Sequence, residues 1–179
     1  MRVIGGSAGG RTLKGPKRAG TRPTSDLVRG VIFELIAAHC EPPARVLDLY
    51  SGTGALGIEA LSRGAEHCDF VEADAKACAV IRENLALTGL GGHGKVYALA
   101  VAKAVGRLAG PYDLVVADPP YEYDRAEADL ERLVVAGLLD PEGTLVVEHS
   151  KRHLWPEELA GRRRLLDRRH GDTRITIYR

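Results

Sequence analysis

Short apolar segments that alternate with helical patterns most constrain how this chain can fold. Because parallel strands need a crossover of a dozen or more residues, usually a helix, this alternation predicts an α/β fold with a doubly wound, mostly parallel sheet. The apolar segments suit strands that are buried on both faces. The predicted strands span 45–49, 67–72, 95–99, 114–117 and 143–148, and the predicted helices span 25–40, 55–61, 75–87, 101–108 and 125–135.

The two ends of the chain depart from this alternation. Segments 162–169 and 173–178 flank Gly171-Asp172 and predict a C-terminal antiparallel hairpin, which brings the sheet to seven strands. Segments 2–4 and 11–13 flank a Gly-rich connection and predict a small N-terminal β-hairpin. With no internal repeat and no long linker, the 179 residues predict a basic, Gly-rich extension over 1–23 and one main domain over 24–179.

Asp118-Pro119-Pro120-Tyr121 follows directly after the predicted strand 114–117. Two prolines cannot continue a sheet, so a carboxylate, a stiff turn and an aromatic ring stand at the carboxyl end of a buried strand, where α/β sheets bind ligands. A carboxylate and a backbone carbonyl can both accept hydrogen bonds from an NH2 group, and the ring can stack on a flat base. A strand followed by a simple Pro-Pro turn is the plainer interpretation.

Gly52-Thr53-Gly54-Ala55-Leu56-Gly57 matches Gly-x-Gly-x-x-Gly, and Glu72 stands at the end of the next predicted strand. Both features also occur in NAD sites. Asp48 favours S-adenosylmethionine (SAM) instead, because an acid beside the loop would repel a pyrophosphate but would suit a cation. Asp118-Pro119-Pro120-Tyr121 also resembles the (Asp/Asn)-Pro-Pro-(Tyr/Phe/Trp) motif of methyltransferases that modify amino or amide nitrogens with SAM, and this resemblance implies a methyl donor. The chain has no plausible catalytic His–acid pair for a dehydrogenase.

Cysteine and histidine spacing indicates neither a disulfide framework nor a metal site. The three cysteines lack a Cys-x-x-Cys pair, and the six histidines lack a metal-binding pattern, so we predict no metal. No apolar run approaches membrane-spanning length, which predicts a cytoplasmic protein without a membrane partner. The sequence does not determine the oligomeric state, and a monomer is the default expectation.

Charge is distributed unevenly along the chain. Residues 1–30 carry seven Arg or Lys and one acid, residues 151–179 carry nine and four, and the segment between them carries nine and nineteen. Basic ends on an acidic body suit a nucleic-acid polyanion, although solvated basic tails would give the same count.

With these motifs placed, nearly the whole chain resembles the bacterial 16S rRNA guanine-N2 methyltransferases of the RsmD type, which are SAM-dependent and Rossmann-like. The matching segments are Gly10-Arg11-Thr12-Leu13, Thr21-Arg22-Pro23-Thr24-Ser25-Asp26, Asp48 to Ala60, Ser62-Arg63-Gly64-Ala65, Val71-Glu72, Asn84 and Asp118-Pro119-Pro120-Tyr121. The Thr-Arg-Pro-Thr segment is the discriminating one, because many methyltransferases share the Gly-rich loop.

The resemblance implies a role for each matching residue. Asp118, Pro119, Pro120 and Tyr121 would be catalytic and would hold and stack on a flipped guanine. SAM, and its product S-adenosyl-L-homocysteine, would be bound by Asp48, Tyr50, Ser51, Gly52, Thr53, Gly54, Ala55, Glu72 and Ala73. The RNA would be bound by Arg11, Lys14, Thr21, Arg22, Pro23 and Thr24.

The resemblance also implies a partner and leaves rivals open. The substrate would be 16S rRNA in the small ribosomal subunit or in its assembly intermediate. Adenine-N6 and protein-glutamine methyltransferases use the same kind of nitrogen, and a non-catalytic RNA-binding assembly factor could retain a SAM pocket. The family usually has an acid after the third strand for the adenine of SAM, whereas this chain has Ala98-Leu99-Ala100-Val101. Adenine recognition is therefore expected to rest on backbone groups.

Overall fold

A computed structural model describes residues 1–15 and 25–179 of the chain. Its helices are α1 (Asp26–His39), α2 (Ala55–Ser62), α3 (Ala75–Thr88) and α4 (Ala126–Val135). Its strands are β1 (Arg45–Leu49), β2 (His67–Glu72), β3 (Gly94–Ala98), β4 (Tyr112–Ala117), β5 (Leu139–Ser150), β6 (Glu158–Leu159), β7 (Arg162–His170) and β8 (Thr173–Tyr178).

One sheet organises the described residues, in the strand order β3-β2-β1-β4-β5-β8-β7-β6. Strands β1 to β5 pair in parallel, and β8 pairs antiparallel with both β5 and β7. The predicted α/β fold, with its mostly parallel sheet and C-terminal hairpin, is therefore confirmed. The two-residue strand β6 extends the seven predicted strands at one edge, where it pairs with the start of β7.

Helices cover both faces of the sheet, as expected for a doubly wound fold. Buried side chains of α1, α2 and α3 form one core with the N-terminal residues Val3, Ala8 and Leu13. Buried side chains of α4 form a second core on the opposite face, together with Val101, Ala104 and Trp155.

One local prediction on this second face is wrong. The predicted helix 101–108 is only a 3₁₀ turn over Val101–Lys103, followed by further turns that lead to Gly110-Pro111.

Local caps explain where the helices begin and end. The Ser25 hydroxyl accepts the Val28 N–H at the start of α1, and the Asp74 carboxylate accepts two N–H groups at the start of α3. Gly89 closes α3 in the left-handed region, at φ 75°, which a residue with a Cβ rarely adopts.

The N-terminal residues form a small hairpin that is built into the domain rather than lying apart from it. Arg2 and Thr12 pair as an antiparallel bridge. The buried Glu59 carboxylate of α2 accepts the N–H groups of Ile4 and Gly5, at 2.7 and 2.9 Å. The same carboxylate accepts a hydrogen bond from Arg63. The hairpin is thus held against α2, while the boundary predicted at residues 23 and 24 lies outside the described residues.

A matched pair of glycine substitutions tests the packing of α2 against β2. A Cβ on Gly57 would lie 2.6 Å from Cys68 Sγ and closer still to the Phe70 ring, and both side chains are fully buried. We expect Gly57→Ala to lower the free energy of unfolding by about 1–3 kcal/mol through overpacking. Gly30→Ala, in α1 with nothing near its Cβ, is expected to raise that free energy by about 0.5–1 kcal/mol. Urea unfolding measures both values, and equal effects of the two changes would contradict this account.

Candidate active site

The carboxyl ends of the parallel strands open into a cavity of about 1080 Å³. It is lined by the Gly-rich loop after β1, the end of β2, the segment after β4 and the adjoining ends of β5 and β8. Of the predicted catalytic and cofactor-binding residues, all but Gly54 line it: Asp48, Tyr50, Ser51, Gly52, Thr53, Ala55, Glu72, Ala73, Asp118, Pro119, Pro120 and Tyr121. The structure therefore brings together residues that stand up to 73 positions apart in the sequence.

The loop from β1 to α2 is tightly turned and held by backbone hydrogen bonds. Tyr50, Gly52 and Gly54 all have positive φ, and the Gly54 N–H donates to the Ser51 carbonyl. The Ser51 hydroxyl donates to the carbonyl of Asp48 at 2.7 Å. Gly54 does not line the cavity, but its φ of 77° and the close Ile81 side chain favour a glycine there. Its role is thus to shape the loop.

Asp48 is buried in β1 and holds the loop and the first turn of α2 together. Its Oδ2 accepts the Gly57 N–H at 2.9 Å, whereas Oδ1 is buried without a hydrogen-bond partner among the described residues. Burial above all, and the nearby Asp118 and Glu72 carboxylates to a lesser degree, raise the pKa of Asp48 to about 8. A buried acid in this state would gain from a cationic group placed beside Oδ1.

Glu72 ends β2 on the opposite side of the loop. One carboxylate oxygen accepts the Gly52 N–H and the other accepts the Asp74 N–H, both at 2.8 Å. These bonds fix the plane of the carboxylate, and each oxygen retains a lone pair that can accept a hydroxyl donor. The geometry suits the predicted binding of two ribose hydroxyls.

The charge of the lining distinguishes the two cofactors that the Gly-rich loop allows. Among the described lining residues, six are acids and one is a lysine: Asp48, Glu72, Asp74, Asp118, Glu122, Glu148 and Lys76. Such a wall disfavours a pyrophosphate and favours a ligand with positive charge. SAM carries an ammonium and a sulfonium, so the residues present fit SAM better than a nicotinamide dinucleotide.

The Asp118-Pro119-Pro120-Tyr121 segment follows β4 at the middle of the sheet. The Asp118 N–H donates to the Leu49 carbonyl of β1, which places Asp118 beside the Gly-rich loop. The Pro120 carbonyl accepts the Tyr123 N–H at 2.8 Å and closes a tight turn. The Tyr121 side chain is 46% exposed, and its hydroxyl forms a 2.8 Å hydrogen bond with Thr173 of β8. The ring is thereby oriented while part of it remains open to a ligand.

The structure does not place the predicted RNA-binding residues in the lining of the cavity. Arg11 donates to the Leu87 carbonyl and Lys14 forms an ion pair with Glu83, so both side chains contact α3, and neither lines the cavity. Their use in binding RNA remains a prediction. Thr21, Arg22, Pro23 and Thr24 lie outside the described residues.

Two further residues, Asn84 and Asp129, support the site and had no assigned role in the sequence analysis. Buried Asn84 of α3 accepts the Lys14 N–H and donates to the Thr53 carbonyl, so it joins the N-terminal segment to the Gly-rich loop. Buried Asp129 of α4 accepts hydrogen bonds from the hydroxyls of Tyr50 and Tyr123, two cavity-lining rings. Asn84 matched the family pattern without an assigned role. Asp129 could not be identified as a site residue from the sequence, because acids are common in the first turn of a helix.

The cavity wall near β3 is apolar in the place where the family usually has an acid. Ala100 and Val101 line the cavity there. Recognition of the adenine through backbone groups stays a prediction.

Residues 1–15 and 25–179 contain neither a candidate metal site nor a helix that could span a membrane. No three His, Cys, Asp or Glu side chains come together in a way that could hold a metal ion. Across the same residues, no helix combines the length and the apolar character that a membrane span requires.

The raised pKa of Asp48 predicts that SAM binding releases a proton. Below pH 8 the ligand-free carboxyl is mostly protonated, and a bound cation favours its charged form. We expect the affinity for SAM to rise by up to about tenfold per pH unit between pH 5.5 and 7, where the SAM amino group keeps its own proton. Isothermal titration calorimetry in buffers of different ionisation enthalpy counts the protons released.

Asp48→Asn should flatten this pH dependence, while Asp124→Asn, an exposed acid outside the cavity lining, should preserve it. The free protein provides a second readout. Because the folded pKa of Asp48 lies above its ordinary value near 3.8, the contribution of this carboxyl to stability falls as the pH rises from about 4 to 8. A flat pH dependence of SAM binding in the native protein would contradict the assignment.

Comparisons with known proteins place the chain in a family. The family model described as conserved hypothetical protein 95 matches residues 1–179. YlbH of Bacillus subtilis (strain 168), by its name a candidate rRNA methyltransferase, is 37% identical over 182 residues, which cover 100% of this chain and 98% of that protein. Ribosomal RNA small subunit methyltransferase D of Escherichia coli (strain K12) is 34% identical over 148 residues, which cover 83% of this chain and 74% of that protein.

A solved structure agrees with these sequence matches. The Escherichia coli protein yhhF, named as a candidate methyltransferase, superimposes with a TM-score of 0.86 at 28% identity, covering 99% of this chain and 96% of that one. Sequence, fold and cavity lining thus agree, and the chain belongs to the conserved hypothetical protein 95 family, as an RsmD-like, Rossmann-fold methyltransferase.

Proposed function

We propose that this protein is a SAM-dependent methyltransferase that modifies the exocyclic N2 amine of a guanine in 16S rRNA of the small ribosomal subunit. The observation that carries the proposal is the position of Asp118-Pro119-Pro120-Tyr121 in the same acidic cavity as Asp48 and Glu72. The names of the relatives, which include small-subunit rRNA methyltransferases, support the RNA as substrate. The choice of guanine N2 rests on the sequence resemblance and on the amine-binding chemistry. Such a protein would act in the cytoplasm, on the subunit or on its assembly intermediate.

The cofactor side of the cavity would bind SAM through charge and backbone geometry. Asp48 Oδ1 would accept from the ammonium group, and Glu72 would accept from the two ribose hydroxyls. Ser51 to Ala55 would pass close along the methionine part. Bound SAM would supply an electrophilic methyl group. No metal is required for this chemistry.

The substrate side would hold the amine and the base. Asp118 and the Pro119 carbonyl would each accept one N–H of the guanine amine, which orients the nitrogen lone pair towards the methyl group. As the new N–C bond forms and the C–S bond breaks, positive charge develops on the nitrogen. Asp118 would stabilise that charge and accept the proton that the nitrogen loses. Tyr121, oriented by Thr173, would stack on a base that has left the helix.

A single carboxylate change tests this role of Asp118. We expect Asp118→Ala to lower methyl transfer by about 10²-fold or more, because it removes the group that orients and stabilises the reacting amine. SAM affinity should change by no more than a few fold, since Asp118 would not touch the ammonium or the ribose. Asp124→Ala, in the same loop but exposed, is the matched control and should retain full activity. Substantial activity in Asp118→Ala would remove the assigned role.

The substrate is tested with labelled SAM. Small ribosomal subunits and naked 16S rRNA are prepared from a strain that lacks this methylation, incubated with the enzyme, and digested to nucleosides. We expect labelled N2-methylguanosine, and the better substrate of the two identifies the form of RNA on which the enzyme acts. Labelled N6-methyladenosine would support methyl transfer to an exocyclic amine but would show that the target base is adenine and not guanine. Transfer to protein only, or no transfer despite tight SAM binding, would favour a glutamine methyltransferase or a non-catalytic assembly factor.

A further inference from the structure

Glu148 stands beside Asp118 in the sheet, and the reaction above does not use it. In the register of β4 and β5, Val116 pairs with Val146 and Ala117 with Val147. Asp118 follows β4 directly and Glu148 is the next residue of β5, so the register continued by one residue places their Cα atoms at the same level, about 5 Å apart. They adjoin the same cavity.

The two side chains also share a face of the sheet. Val116 and Val146 both belong to the core beneath α1, α2 and α3, and side chains two residues apart in a strand project to the same face. The same alternation, continued one residue past the end of β4, directs Asp118 towards the face that Glu148 also faces, and Glu148 is only 5% exposed. A carboxylate in such a place interacts strongly with whatever ligand group it faces, because little water screens it.

Two neighbouring acceptors match one edge of guanine and conflict with the same edge of adenine. Guanine presents the N2 amine and, next to it, the N1–H, so both positions are donors. Adenine presents the N6 amine next to N1, which is an acceptor in that base. With the amine held by Asp118, an acceptor alongside gains a hydrogen bond from guanine N1–H and meets a lone pair on adenine N1.

The hydroxyl of Tyr121, whose ring would stack on the base, lies near the end of β5 that carries Glu148. Tyr121 bonds to Thr173, and Thr173 pairs with Ser150, two residues beyond Glu148 in β5. A base stacked on Tyr121 would therefore have its polar edge within reach of the ends of β4 and β5.

We propose that Glu148 accepts the N1–H of the target guanine and is the residue that selects guanine over adenine. This inference rests on the proposed function, and it adds a specificity-determining contact that methyl transfer itself does not require.

The test compares guanine with a base analogue that lacks the N1–H but keeps the amine at C2. 2-Aminopurine keeps an amine at C2 but has an acceptor at N1, so it offers the reacting group without the N1–H. The target nucleotide, once mapped, is made guanine or 2-aminopurine in the form of RNA that the wild-type enzyme methylates. kcat/KM is measured for each base with the wild-type enzyme, Glu148→Gln, Glu148→Asp and Glu142→Gln. The last is an exposed acid at the other end of β5 and is the matched control.

We expect the wild-type enzyme to prefer guanine, and Glu148→Gln to lower that preference by about tenfold or more, because its amide can donate to the acceptor at N1. The ratio between enzymes cancels any intrinsic difference in reactivity between the two amines. Glu148→Asp should keep the preference at a lower rate, and Glu142→Gln should match the wild type. SAM affinity should change by no more than a few fold in the two Glu148 variants and should be unchanged in Glu142→Gln.

Three separate results would overturn the proposal, and each comes from a different measurement. Equal kcat/KM for guanine and 2-aminopurine in the wild-type enzyme would overturn it. Because this comparison needs no variant, it does not depend on whether Glu148→Gln folds. An unchanged preference in a folded, SAM-binding Glu148→Gln would do the same while leaving N2 methylation intact. A wild-type product other than N2-methylguanosine would overturn the proposed function, and this inference would fall with it.

Discussion

The register of the central parallel strands is the constraint on which the rest of the site depends. It brings the carboxyl ends of β1, β2, β4 and β5 to one edge of the sheet, so that Asp48, Glu72, Asp118 and Glu148 line one cavity. A negative charge in this poorly hydrated place is costly: burial above all, and the nearby Asp118 and Glu72 carboxylates to a lesser degree, raise the pKa of Asp48. A ligand with positive charge offsets it, which is the physical reason that the fold favours SAM over a dinucleotide.

The supporting contacts around the cavity converge on its two loops. Asn84 links the N-terminal segment to the Gly-rich loop, and Glu59 holds the N-terminal hairpin on α2. On the other face, Asp129 binds the hydroxyls of Tyr50 and Tyr123, so α4 connects the loop after β1 with the loop after β4. Burial and the Asp129 carboxylate raise the pKa of Tyr50, which keeps that hydroxyl protonated and donating. The loop after β1 and the loop after β4 are thereby held relative to one another.

Much of this could be predicted from the sequence. The element order, the parallel sheet and the C-terminal hairpin follow from apolar periodicity and from turn residues, and the structure confirms them. The segment 101–108 was the exception, because its apolar residues favoured a helix while the buried side chains of Val101 and Ala104 pack on the sheet from turns instead. Of the candidate site, the Gly-rich loop, Glu72 and Asp118 to Tyr121 were recognisable because each motif is continuous or stands at a strand end.

The features that follow from the amino-acid sequence alone are therefore local: which segments become strands, where tight turns need glycine, and where two prolines stop a strand beside a carboxylate. Steric rules acting over a few residues are sufficient for these features. The tertiary structure was needed to show that Glu148 and Asp118 line one cavity, that Asp129 binds two tyrosines, and that Lys14 pairs with Glu83. Those contacts join residues that are distant in sequence, and they depend on strand order, register and helix packing, which short-range patterns do not specify.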